Sequence, residues 1–267
     1  MDTIQFIPEG WTQECCTVTK DQVRQYIETK EILQGKVKRC DSNYNLHISL
    51  GNGMQGIIPR QEVEGINIED DGYPKINLCT GKVNKFIQFR VKELRGENIV
   101  ILSRKEVQED ALNWVKKDLK IGDKVTGIVK NIKPYGAFIE IGGGIVGLIH
   151  IEDLSIARIK SPSERLEIGQ KIDVVVKSID KDTGKVILSY KELLGTWEEN
   201  IKEFSTGMKT KGIIRETERN KNGIFIELKP NLVGMAEFKD GLEYGQEVEV
   251  YIKKIDSEKK KVKLLIV

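Results

Sequence analysis

Histidine is nearly missing from this chain: only His47 and His150 occur in 267 residues. A His-based catalytic triad or a multi-His metal centre must draw on one of those two, which weighs against a hydrolase. Cysteine is also scarce. Cys15, Cys16, Cys40 and Cys79 form no C-x-x-C pair and have no histidine at metal-ligand spacing. Adjacent cysteines rarely bridge one another, so reduced thiols are expected rather than a disulfide framework or a zinc site. No run of 18 apolar residues exists, which excludes a spanning helix. The opening stretch MDTIQFIPEGWTQECC has neither the basic start nor the apolar centre of a secretory leader. A dominant charge sign is missing as well, with 43 Lys and Arg against 41 Asp and Glu. Nucleotide-loop, zinc-protease and nucleophile-elbow motifs are absent, so the chain reads as no enzyme, with no cofactor and no metal. The remaining composition, 39% hydrophobic and 31% charged, fits ordinary folded domains and not disorder or collagen.

What is present is repetition. VILSRKE at Val100 to Glu106 recurs as VILSYKE at Val186 to Glu192, and VKLLIV follows at Val262 to Val267. Before each comes an alternating strand and a polar turn: VKELRGEN, VKSIDKDTGK and IKKIDSEKKK. Further upstream lie SNYNLHISLGNGMQGIIPRQEVE, KPYGAFIEIGGGIVGLIHIEDLS and NKNGIFIELKPNLVGMAEF. Each copy occupies about 60 to 75 residues. Val125, Gly127 and Val129 alternate with polar residues, as do Ile172, Val174 and Val176, which is strand periodicity. Turn residues punctuate every six to ten positions. Five short strands with one longer connection between the third and fourth suit a small closed barrel. In the middle copy that connection contains Ser161-Pro162-Ser163-Glu164, a capped helical turn.

Between the copies the pattern becomes helical. Val107, Leu112, Val115 and Leu119 share a face with Trp114 beside it, and Leu193, Trp197, Ile201 and Phe204 do the same over Glu192 to Phe204. Both tryptophans read as packing against neighbouring barrels. Another helical stretch, TKDQVRQYIETKEIL, starts at Thr19 or Asp21 as cap. The expected order is therefore an N-terminal segment with a short helix (1–31), a first, degenerate barrel (32–107), a connector (108–119), a second barrel (120–191), a connector (192–204) and a third, partly degenerate barrel (205–267). GGGIVG and GNGMQG fit G-x-G-x-x-G, yet apolar strand residues follow each, so they are hairpin turns and not dinucleotide loops.

The middle string GDKVTGIVKNIKPYGAFIEIGGGIVGLIHIEDL, continued by LEIGQKIDVVVKSIDKDTGKVILSYKE, closely resembles the S1 (S-one) RNA-binding domain. G-A-F, G-L-I-H and G-Q-x-x-x-V-x-V fall in order over the whole copy. The third copy is a degenerate member and the first a weaker one, with an insertion around GINIEDDGYPKINLCTGK. The resemblance implies a mainly β chain of three tandem OB-fold barrels, five-stranded and antiparallel, joined by short α-helical connectors. It also implies a face for single-stranded RNA, with Tyr135 and Phe138 as base platforms and His150 beside them. Lys185 and Asp180 fall at the family's phosphate-contacting and acidic positions, where Asp180 would orient that contact or bond a ribose or base, and Lys130 and Lys133 would extend the groove. From the residues alone, Phe138 also fits a core position, His150 a strand cap, and Lys185, Lys130 and Lys133 a solvated edge. In the third copy Phe225, Asp256 and Lys261 match Phe138, Asp180 and Lys185, while Asn222 and Glu237 replace Tyr135 and His150. In the first, Tyr44 and His47 align with the ring positions, and Pro59 replaces the histidine with Arg60 next to it.

The function expected is binding of single-stranded RNA or mRNA by stacking and phosphate contact, in translation. The alternative is a protein-interaction scaffold, or an accessory factor in RNA decay or transcription. Expected partners are RNA and, through the first barrel, the small ribosomal subunit or another protein. A cytoplasmic monomer without membrane contact completes the expectation. Charge resolves by segment: residues 32–107, 120–195 and 205–267 carry +3, +2 and +3, and the rest carries −6.

Overall fold

The computed structural model describes residues 6–11, 14–66, 68–216 and 223–267, so Asn222 lies outside the described residues. Three closed five-stranded barrels follow one another. The first comprises β1 (Leu33–Cys40), β2 (Leu46–Ser49), β3 (Gln55–Ile58), β4 (Phe86–Arg95) and β5 (Ile99–Ser103). The second comprises β6 (Lys124–Lys133), β7 (Gly136–Gly142), β8 (Ile145–His150), β9 (Lys171–Ile179) and β10 (Val186–Ser189). The third comprises β11 (Lys209–Glu216), β12 (Ile224–Lys229), β13 (Leu232–Ala236), β14 (Glu247–Asp256) and β15 (Lys261–Ile266). In every barrel the third and fifth strands run parallel and the other neighbours antiparallel. The long connection after the third strand lets the fourth cross over and pair with the first, closing the cylinder.

Closure needs curvature, and bulges supply it at the same two places each time. The register skips one residue in the first strand, at Lys38, Lys130 and Arg215. It skips another in the fourth strand, at Lys92, Lys177 and Lys253. All six are cations, which a bulge accommodates by turning the long side chain outward. Inside, each barrel holds its own core: Val37, Leu46, Ile58, Phe89 and Leu102 in the first, Val129, Ile139, Ile149, Val174 and Leu188 in the second, Ile214, Ile226, Val250, Ile252 and Leu264 in the third.

Helices fill the joints. Helix α1 (Lys20–Thr29) starts with a capping box from Thr19 and packs on the first barrel through Val23. The short α2 (Ile76–Thr80) lies within the insertion of the first barrel. Helix α3 (Lys105–Lys117) buries Val107, Ala111 and Val115 in the second core, joined there by Trp114 and by Phe6 from the N-terminal segment. The second connector departs from the sequence pattern. A single helix from Glu192 to Phe204 does not form. A 3-10 turn at Lys191–Leu193 ends in Gly195, whose φ of +78° leaves the helical region, and Thr196 then caps a separate α4 (Trp197–Ile201). Trp197 packs on the third core. The leading glycines of GGGIVG and GNGMQG make the β7–β8 and β2–β3 turns, with Gly142, Gly143, Gly144, Gly51 and Gly53 all at positive φ, while Gly147 and Gly56 lie within β8 and β3.

Two polar joints bind the barrels. At the first, Glu9 of the N-terminal segment is buried among Arg104 (2.7 Å), Lys82 (2.8 Å) and Lys130 (3.6 Å). Its backbone N–H donates to Glu140 at 2.9 Å, and Lys130 also pairs with Glu140 at 2.6 Å. Glu64 completes the cluster on Arg104 and on the amide of Gln108. The second joint reuses the equivalent positions. Arg215, at the first-strand bulge, pairs with the buried Glu227, and Arg165 and Glu164 of the second barrel reach across to that pair.

Candidate nucleic-acid interface

Strand alternation puts Ala137, Ile139 and Ile141 inside the second barrel and leaves Phe138 and Glu140 facing out. Glu140 is covered by the N-terminal segment, so the open part of the face begins at Phe138. The ladders fix its neighbours: Phe138 opposes Leu148, which opposes Ile187 on β10. This row of three half-buried apolar side chains forms a smooth floor. At its edge, Tyr135 in the β6–β7 turn stands 51% exposed, its ring 6.1 Å from that of Phe138 and inclined at 84°. Such an edge-to-face pair fixes both rings while leaving a face of Tyr135 in water.

His150 ends β8 opposite Gly136, where no side chain screens it. A Cβ at Gly136 would lie 2.3 Å from the Ile149 carbonyl oxygen, so this approach requires glycine. The His150 ring accepts from the Glu152 N–H at 3.5 Å and lies 3.7 Å from the Glu152 carboxylate, which orients it at the turn leading out of the strand. Behind the turn sits Asp153, nearly buried, holding Lys177 at 2.7 Å and Lys191 at 2.9 Å. Burial alone would raise its carboxyl, but those two ammonium groups hold it below the usual carboxylate range. Sequence reasoning does not single out Lys177 or Lys191. The signal for Lys177 is the fourth-strand bulge, invisible without the ladder.

The other expected residues separate into two groups. Lys133 ends β6 and is exposed, and Lys185 is exposed two residues before Ile187, on the same face of β10. Lys130 does not extend the groove: it is bound to Glu140 in the first joint. Asp180 does not orient Lys185 either. Its carboxylate accepts from the N–H groups of Asp182 and Thr183 and from the Thr183 hydroxyl, closing the β9–β10 turn. Those hydrogen bonds, the Thr183 hydroxyl first, hold its pKa below the ordinary value.

The same row recurs in the flanking barrels with different chemistry. In the third it reads Phe225, Met235 and Lys263, with Lys261 two residues earlier. Glu237 lies exposed just past β13. In the first it reads His47, Ile57 and Ile101, so His47 stands where Phe138 does. That face is not an open platform. His47 bonds Asp41 at 3.0 Å and approaches Arg39. Arg60 lies over the rings of both Tyr44 and Tyr73, and its guanidinium donates to the Pro74 carbonyl. Tyr44, His47 and Arg60 are thereby engaged with their own barrel, and the insertion folds across them.

Comparison with known proteins agrees with this geometry. Residues 118–191 match the family model described as S1 RNA binding domain. Small ribosomal subunit protein bS1 of Staphylococcus aureus (strain MRSA252) is 33% identical over 262 residues, covering 91% of this chain and 63% of that protein. The bS1 homolog of Bacillus cereus (strain ATCC 10987 / NRS 248) is 35% identical over 231 residues, covering 80% and 58%. The chain thus spans about three fifths of the length of these curated relatives. Among solved structures, the solution structure of GSP13 from Bacillus subtilis shares 30% identity over 28% of this chain and 58% of that one, with a TM-score of 0.28. The middle barrel is thus matched along its length by the S1 RNA binding domain model, within a chain that is similar over nine tenths of its length to bS1 proteins.

Proposed function

We propose that the protein binds single-stranded RNA, mRNA in particular, in translation, and that the second barrel supplies the principal contact. The exposed Tyr135 set edge-on to Phe138 carries this reading. A base lying on Tyr135 and the Phe138–Leu148–Ile187 floor gains roughly 1–3 kcal/mol by stacking, whatever its identity. His150, Lys133 and Lys185 flank that floor and are read as taking the backbone phosphates, while Lys177 is held by Asp153. Nothing in this arrangement performs chemistry: it needs no nucleophile, general base or metal, and the reading is of a non-catalytic, cytoplasmic binding protein acting as a monomer.

The test is titration of the intact chain with single-stranded RNA, repeated with Tyr135→Ala plus Phe138→Ala. Loss of two stacking partners is expected to weaken binding by at least about thirtyfold. Unchanged affinity would remove the proposed face.

The first barrel is read as the docking module toward the small ribosomal subunit or another protein. Its nucleic-acid face is closed by Arg60 and Tyr73, while Ile66, Ile68 and Ile76 of the insertion stand exposed. Substituting the three isoleucines by serine should abolish co-sedimentation with 30S particles while leaving RNA affinity in solution unchanged.

A further inference from the structure

The third barrel's row, weak by its sequence, does not stand alone. The long β8–β9 connection of the second barrel passes the β12–β13 turn of the third and is fastened there. Ile156 N–H donates to the Asn231 side chain at 3.2 Å and Ala157 N–H to the Pro230 carbonyl at 2.9 Å. Asn231 in turn donates to the carbonyls of Lys191 and Gly195. Arg165, Glu164, Glu227 and Arg215 lock the same joint from the side. The backbone on both sides of Ile156 is therefore held in place, yet its side chain is 59% exposed.

That fastening creates a groove of about 450 Å³ between the two barrels. Phe225 and Met235 form one wall, Ile156 and Arg158 the other, with Lys261 and Lys263 along the rim. Among the described residues no Asp or Glu lines it. Arg215, which also reaches the groove, is neutralised by Glu227 and Glu164. Lys260 is paired with Glu198 at 2.7 Å, whereas Lys261 and Lys263 pair with no carboxylate among the described residues. Glu237, an acidic side chain that would repel a phosphate, is not part of the lining. An apolar slot holding one aromatic ring, bordered by cations alone, matches a nucleobase with its flanking phosphates.

We propose that this joint is a second single-stranded RNA subsite, built from both barrels. Phe225, Met235 and Ile156 receive a base, and Arg158, Lys261 and Lys263 receive the adjoining phosphates. The inference rests on the RNA-binding reading above and adds a site that neither barrel possesses alone. A strand seated here and on the Tyr135–Phe138 face gains by tethering, since the second contact is made within one complex.

The test uses the full chain, a fluorescein-labelled 20-nucleotide oligouridylate read by anisotropy, and the same oligomer carrying 4-thiouridine for photocrosslinking. Arg158→Glu and Lys263→Glu, each checked for native circular dichroism, are expected to weaken binding about fivefold or more. Each should also reduce the slope of log affinity against log salt by about 0.7, the value for one single-strand phosphate contact. Crosslinks are expected in the Phe225–Met235 segment, and they should persist in the Tyr135→Ala plus Phe138→Ala variant. Native affinity and slope in both charge reversals, with crosslinks confined to the second barrel, would overturn the subsite and leave the principal face standing. Absence of RNA binding by the unaltered chain would overturn both. A poly-glutamate peptide that binds the groove and is not displaced by the oligomer would also overturn the proposal, by giving the groove to an acidic protein segment.

Discussion

Gly136 shows how a single backbone position sets up the proposed RNA face. It gives His150 open space across the ladder, and its missing Cβ admits the Ile149 carbonyl. Gly136→Ala forces the two strands apart at the point where Tyr135, Phe138 and His150 converge. The expected result is a loss of about 1–3 kcal/mol in urea unfolding, the usual range for overpacking, together with weaker RNA binding. The outward row is legible in the sequence itself, because G-A-F and G-L-I-H alternate cleanly and the small Gly136 and Ala137 separate Tyr135 from Phe138. Lys130 and Asp180 escape that reading for separate reasons. Lys130 faces outward as alternation expects, but its carboxylate partner Glu140 is visible only once β6 and β7 are paired. Asp180 precedes Thr183-Gly184, and that local turn chemistry outweighs any role toward a ligand.

At the scale of elements, the first-strand bulge and the second strand make a repeated socket: Lys130 with Glu140, and Arg215 with Glu227. Strand periodicity points to the barrels but not to what enters these sockets from outside: Glu9 lies 131 residues from Glu140, and Arg165 lies 62 residues from Glu227. Arg104 sits between Glu9 and Glu64 with all three side chains buried. Arg104→Met removes the one fully buried cation between two buried carboxylates and leaves them to Lys82 and Lys130, and a loss of about 3–5 kcal/mol is expected in thermal or urea unfolding. The pH response follows from the same cluster. Burial pushes the Glu9 carboxyl up, but Arg104, Lys82 and Lys130 overcome it and hold the group below its ordinary 4.5. A folded value below the unfolded one means stability is present above pH 4.5 and is lost as the pH falls toward the folded value. Glu140 runs the other way: burial and then the charge of Glu9 raise it, so its ionised form costs stability. Glu9→Gln should lower the unfolding midpoint at pH 7 and flatten its acid limb, and Glu140→Gln should be close to neutral there. Equal losses in the two variants would contradict this assignment. The broken connector is half legible. Gly195 is visible as a weak point, but Thr196-x-x-Glu199 is a capping box that starts a new helix rather than tolerating a flaw in the old one.

For the whole molecule, a net charge of +2 hides three mildly basic barrels among acidic connecting segments. Many of those cations face carboxylates of the chain itself, as Lys130, Arg104 and Arg215 do. Few therefore remain to displace counterions from RNA. Counting Lys133 and Lys185 at the principal face and Arg158, Lys261 and Lys263 at the joint, log affinity should fall against log salt with a slope of only about −3.5. A slope near −6 would show that the joints open to release their cations. The repeats make the number of barrels readable, whereas their mutual placement is not, because charged residues at a joint look like ordinary surface in a sequence.

The N-terminal segment adds a constraint in time. Phe6 lies in the core of the second barrel and Glu9 binds Glu140, so this short strap belongs to a partner encoded far downstream. During synthesis, at about 5–20 residues per second, the strap must wait on the order of ten seconds for β7 and β8 to appear. The first barrel lacks no core residue meanwhile and closes on its own. The strap is thus the last piece to settle, and it seals the first two barrels together only after the second has been made.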